Sequence, residues 1–132
     1  MDKLSKNIVA TSAILAAVTI AIGAFGAHGL KQLVSADSLA TFETGVRYQM
    51  YHVLALLIVG FTSAIPSKTK KWVFRFFCFG ILFFSGSIYL LALKEQLPFS
   101  VSFLGPITPI GGLLFILGWV RLSYGLLTFK RG

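Results

Sequence analysis

Apolar positions fall into four long runs, over residues 8–30, 39–65, 72–93 and 107–129, and polar positions cluster between them. At ~1.5 Å of rise per helical residue, about 20 apolar residues cross a hydrocarbon layer ~30 Å thick. Each run reaches that length. Lipid offers no water to the backbone, so a crossing segment must satisfy its own N–H and C=O groups, which a helix does. The pattern predicts an all-α four-helix transmembrane bundle. Pro66-Ser67-Lys68-Thr69-Lys70 reads as a tight connection between the second and third helices. The break at 94–105 contains Pro98 and leads into Pro106, which suits a first helical turn because its missing N–H is not needed there. Pro109 is close enough to that start to be tolerated. Ser35, Asp37 and Ser38 are N-cap candidates for the second helix.

Composition narrows the class. Of 132 residues, 56% are hydrophobic and 12% charged, against about 25% charged in soluble domains. The four runs leave nothing for a separate globular domain, so residues 1–132 read as one integral membrane domain. Lys3 and Lys6 imitate the start of a signal peptide, but the run after them exceeds the ~7–15 apolar residues of such peptides. The first helix is read as retained. The net charge of +8 is spread along the flanks of the runs instead of forming one patch. That distribution argues against nucleic acid and for anionic lipid head groups. Lys3, Lys6, Lys68, Lys70, Lys71, Arg75, Lys130 and Arg131 share one side if the chain crosses four times. Basic flanks prefer the cytoplasm, which predicts an N-in/C-in topology in the cell (cytoplasmic) membrane. The single cysteine, Cys78, excludes an intrachain disulfide or a dithiol redox pair and reads as a packing residue.

Polar residues inside the runs need explaining, because lipid cannot satisfy them. With hairpin topology they lie at one membrane level: His28 in the first helix, Glu43, Arg47, Tyr48, Gln49, Tyr51 and His52 in the second, Ser85, Ser87 and Tyr89 in the third, and Thr108 in the fourth. Glu43, Arg47 and Tyr51 share one helical face, with Tyr48 and His52 beside it. That arc is expected to turn inward, with Val46, Met50, Val53 and Leu57 toward lipid and Gln49 toward another helix. Cys78, Ser85, Tyr89 and Ala92 form a stripe that can face the polar side of the second helix. An unpaired Arg near a bilayer centre costs roughly 2.5–3.5 kcal/mol, so Glu43 is the expected partner of Arg47. Two readings follow. The ion pair and the tyrosines lock the bundle together, or the residues line an outward-facing pocket for a polar or amphipathic ligand. A proton or ion path finds no matching acid or base in the inner halves.

His28 and His52 sit at different depths, and no Cys/His/Asp cluster completes a metal or haem site, so neither is expected. His28 is expected to cap its helix, and His52 to hydrogen-bond Tyr89 or Ser85. Ser85-Gly86-Ser87 reads as small residues for close packing and not as a nucleophile elbow. Ala13, Ala17 and Ala21 suit packing within the bundle or against a second copy. Arg121 is expected to snorkel inward, and Trp72, Trp119 and Tyr124 to anchor the interface.

Four segments carry a resemblance: Gly23-Ala24-Phe25-Gly26-Ala27-His28-Gly29-Leu30, Thr44-Gly45-Val46-Arg47-Tyr48-Gln49-Met50-Tyr51-His52, Phe84-Ser85-Gly86-Ser87-Ile88-Tyr89, and Gly105-Pro106-Ile107-Thr108-Pro109-Ile110-Gly111-Gly112 with Trp119. With these in order over essentially the whole chain, the sequence resembles the YgdD-like family, a domain of unknown function also seen in transmembrane protein 256. The resemblance implies a small polytopic membrane protein, in bacteria an inner-membrane one, and carries over no activity, substrate or catalytic residue.

The expected role is structural or binding, without catalysis or a cofactor. The pocket would serve a lipid, a quinone-like molecule or a partner helix. A small homo-oligomeric transporter and a lipid-active enzyme working through His52 or His28 are the alternatives. Membrane lipids are the expected partners, with homo-oligomerisation open and no nucleic acid.

Overall fold

The computed structural model describes residues 1–130, so Arg131, counted above among the basic flanks, lies outside the described residues. Helix α1 spans Lys3–Ala27, α2 Ala36–Phe61, α3 Ser67–Gly80, α4 Gly86–Ala92 and α5 Ile107–Thr128. A π-helical stretch, Ile81–Ser85, joins α3 to α4, so the two form one rod. Among the described residues there is no strand. Three stretches, Lys3–Gln32, Ser67–Ala92 and Ser102–Thr128, are long and apolar enough to cross a membrane. Helix α2 has the length, at 26 residues. Its first half is diluted by Glu43, Arg47, Gln49 and His52, which is why it falls outside that set.

Local chemistry sets the ends. Asp2 caps α1 by accepting from Ser5 N at 3.1 Å, and hydrogen bonding from Ser5, its hydroxyl first and then its backbone N–H, holds the Asp2 carboxyl below the usual carboxylate range. Of the three cap candidates for α2, Ser35 takes the role, accepting from Ser38 N at 3.2 Å. His28 closes α1, its backbone N–H bonding Ala24 O and Phe25 O. The turn expected at 66–70 lies earlier in the chain, over residues 62–66, between the end of α2 at Phe61 and the start of α3 at Ser67. Of the expected turn only Pro66 lies outside α3, in an extended conformation, and Thr69 and Lys70 are buried helical residues.

Neighbours in sequence are neighbours in space. Helix α1 packs on α2, the α3–α4 rod on α5, and α2 joins the two hairpins through the π stretch and α4. The main core gathers Ile8, Val53, Leu56, Val59, Val73, Phe77, Ile81 and Phe115, and a smaller one holds Leu30, Phe42 and Ala92. Helix α5 meets the rod through buried Gly111, Gly118 and Gly125, seven residues apart. A Cβ on Gly111 would run into the Phe84 backbone nitrogen, and one on Gly118 into the Phe77 ring. A heptad of small residues lets two helix backbones approach closely. Large apolar side chains on the outer faces, among them Ile14, Ile20, Ile58, Leu82 and Ile116, stay exposed.

Candidate functional site

Helix α2 turns most of its expected polar arc outward; of that arc His52 alone is buried, and Gln49 beside it is buried as well. Its buried face is Phe42, Gly45, Gln49, His52, Val53, Leu56, Val59 and Gly60. Glu43, Arg47, Tyr48 and Tyr51 are exposed. Val53, expected toward lipid, is only 1% exposed, and Val46, Met50 and Leu57 are half-buried. Close packing at glycine sets this rotation: a Cβ on Gly45 would stand 2.8 Å from the Tyr89 ring. The expected Glu43–Arg47 ion pair does not form; Arg47 Nη2 donates to Thr44 Oγ1 at 3.2 Å instead.

Buried polar groups bond across helices. Gln49 bridges three of them: its Nε2 donates to Thr19 Oγ1 on α1 at 2.8 Å, and its Oε1 accepts from Tyr89 Oη on α4 at 2.6 Å. Thr19 Oγ1 in turn donates to Leu15 O at 2.6 Å. Ser85 Oγ donates to Gly45 O at 2.7 Å, and Ser87 Oγ pairs with Thr108 Oγ1 at 2.6 Å. Ser85 and Tyr89 of the third run's stripe thus meet α2 at Gly45 and Gln49, and not on the polar arc of Glu43, Arg47 and Tyr51, the face expected for that stripe. Sequence reasoning missed Thr19 because a threonine in an apolar helix can satisfy itself on the preceding turn. A signal was available: Ser5, Ser12, Thr19 and Gly26 are buried and seven apart.

His52 has neither expected partner. Its Nδ1 lies 2.7 Å from Tyr48 O, and Trp119 Nε1 donates to its Nε2 at 3.0 Å. A carbonyl only accepts and an indole N–H only donates, which assigns the neutral Nδ1–H tautomer. Phe115 stacks on the ring at 3.6 Å between centroids, and Phe77 meets it edge-on at 4.9 Å. Trp119, expected as an interface anchor, is therefore a second polar partner in the bundle. Above this group runs a groove of about 530 Å³ between α2 and α5, lined by Tyr48, His52, Pro109, Gly112, Phe115 and Trp119.

The remaining candidates lie elsewhere. The side chain of His28 is exposed at the end of α1, apart from the His52 group. Tyr51 points outward, 56% exposed. Arg121 reaches Thr69 Oγ1 at 3.2 Å and lies over the Tyr124 ring. Ala13, Ala17 and Ala21 are exposed and do not pack within the bundle. Among the described residues no three of His, Cys, Asp and Glu come together as a metal site.

Residues 22–112 match the family model described as protein of unknown function (DUF423). A UPF0382 membrane protein of Staphylococcus saprophyticus is 46% identical over 125 residues, covering 95% of this chain and 98% of that one. The chain belongs to the DUF423 family. A UPF0382 membrane protein of Bacillus subtilis is 40% identical to this DUF423 chain, covering 89% of it and 93% of the relative. One of Haemophilus influenzae is 41% identical, covering 80% and 82%. No solved structure matches. The DUF423 assignment agrees with the resemblance carried by the four motifs: a family of small membrane proteins of unknown function. The matched segment contains Gln49, His52, Ser85, Tyr89 and Thr108, and stops short of Trp119.

Proposed function

We propose that this DUF423 protein is a four-helix transmembrane bundle with both termini on the cytoplasmic side of the cell membrane, and that it binds an amphipathic molecule in the groove between α2 and α5. The observation that carries the reading is chemical. An apolar groove wall of Pro109, Leu113, Phe115 and Ile116 stands beside the polar group Tyr48, His52 and Trp119. Ligand sites in proteins combine an apolar lining with a few convergent polar groups. The Tyr48 side chain is 41% exposed. In hydrocarbon a free phenolic O–H is costly, which favours an acceptor on a ligand. A lipid ester or a quinone-like carbonyl has that chemistry. Binding suits the site better than catalysis. Both His52 nitrogens already have protein partners, and no carboxylate or nucleophile lines the groove.

Native mass spectrometry of gently purified protein tests this. The wild type is expected to retain an amphipathic molecule that Tyr48→Phe weakens and Gly112→Leu, filling the groove, excludes. Equal retention in all three overturns the reading. A C-terminal reporter active only outside the cytoplasm would overturn the topology.

A further inference from the structure

A second cavity, of about 430 Å³, lies where the start of α1, the end of α2 and the start of α3 converge. Its walls include Asp2, Ser5, Gly60, Ser63, Ser67 and Lys70. Lys70 is only 5% exposed. Its Nζ donates to Ser5 Oγ at 2.9 Å and to Gly60 O at 3.2 Å. An ammonium has three N–H bonds, so one is left on a wall of the cavity. Both partners are neutral oxygens, whereas lysines buried to this degree are normally paired with an anion. The Asp2 carboxylate lines the same cavity and feels the Lys70 charge, but it is exposed, caps α1 at Ser5 N and is not a hydrogen-bond partner of Lys70. Ser67 opens α3 on the same wall, which brings the positive end of that helix to the cavity. Lys3, Lys6, Lys68 and Lys71 stand exposed around this end of the molecule. The apolar run of α1 starts at Ile8 and α2 ends at Phe61, so the cavity sits where hydrocarbon gives way to head groups.

We propose that this cavity binds a phosphate anion, carried on the head group of an anionic phospholipid, with Lys70 as its buried counter-charge. Basic pockets between helix ends at a membrane surface suit this chemistry. The site is separate from the α2–α5 groove and does not depend on which face of the membrane it occupies.

The test is native mass spectrometry of the full chain in detergent, titrated with phosphatidylglycerol, phosphatidylcholine or inorganic phosphate. Phosphatidylglycerol is expected to bind about tenfold tighter than the zwitterionic lipid. Lys70→Gln should remove that preference and Lys70→Arg should keep it. Should Lys70→Gln fail to fold, Ser67→Glu decides. Its carboxylate suits a first helical turn yet repels an anion in the cavity, so the preference should vanish in a folded protein. Phosphatidylglycerol that resists displacement by millimolar inorganic phosphate assigns the anion to lipid. Displacement, with phosphate itself retained, assigns it to a soluble source at the same site. Equal binding of the two lipids without retained phosphate, or a preference that survives in Ser67→Glu, overturns the proposal.

Discussion

Replacing Gln49 by leucine tests whether the three-helix bridge stabilises the bundle. The substitution removes two hydrogen bonds, to Thr19 and from Tyr89. Interhelical side-chain bonds in membranes average about 0.6 kcal/mol each, so the pair contributes about 1.2 kcal/mol. The leftover groups matter more. Thr19 is not stranded, because its hydroxyl keeps Leu15 O. The Tyr89 hydroxyl loses its acceptor between α2 and α4, at a further cost of about 1–3 kcal/mol. Gln49→Leu should therefore lose about 2–4 kcal/mol. Tyr89→Phe strands Gln49 Oε1 instead and should lose a little less, since one bond to Thr19 survives and the ring keeps its contact with Phe42 at 4.9 Å between centroids. The double variant strands neither group. Its loss should fall to about 1–2 kcal/mol, below either single change. Reversible unfolding in mixed micelles with rising dodecyl sulfate reads all four states. A double-variant loss equal to the sum of the singles, within about 0.5 kcal/mol, would refute the bridge.

Neighbouring glycines make an internal control. Gly111→Ala drives a Cβ into the Phe84 backbone and should cost about 1–3 kcal/mol in the same assay. Gly112→Ala meets Phe84 Cδ2 only at 3.7 Å and should be neutral or mildly stabilising through helix propensity. Nitrogen-15 spectra of labelled histidine should show His52 as the Nδ1–H tautomer, and Trp119→Phe should shift its Nε2 signal; an Nε2–H ring would contradict the assignment. The folded-state pKa of Asp2 lies below its ordinary 3.8. The stability this adds is present above 3.8 and is lost as pH falls through the lower folded value. Thermal unfolding of Asp2→Asn should lack that acid-side decline, and an unchanged acid limb would remove Asp2 from the account.

The helical class and most of the places where the chain turns were legible because lipid imposes them, the connection before Ser67 being displaced by one helical turn. Run length, proline placement and serine caps each belong to one continuous stretch of chain, so a sequence displays them directly. The site was legible only in part. Gln49, Ser85, Tyr89 and Thr108 enter interhelical bonds, as polar side chains at membrane depth should. Glu43, Arg47 and Tyr51 do not. A polar arc on a helix is ordinarily the face that avoids an apolar surrounding. Near a membrane boundary a long charged side chain can instead reach the head groups along the outside of the bundle, and so gives no information about rotation.

What fixes rotation here is the small residue. Buried Ser5, Ser12, Thr19 and Gly26 repeat every seven positions on α1, and Gly111, Gly118 and Gly125 do the same on α5. Without a hydrophobic drive between helices in lipid, close van der Waals approach selects the contact face, and only small side chains permit it. A heptad of Ser, Thr and Gly therefore predicts the packed face better than a stripe of Glu, Arg and Tyr. The hydroxyls in that heptad then have a second consequence. Ser5 and Thr19, turned inward by packing, become the partners of Lys70 and Gln49. The two buried polar centres that α1 shares with its neighbours thus follow from the same seven-residue spacing that docks the helix. Substituting Ser12, whose hydroxyl bonds only its own helix at Ile8 O, with alanine should leave both centres intact. Substituting Thr19 with valine should weaken only the Gln49 bridge, a contrast the unfolding assay can resolve.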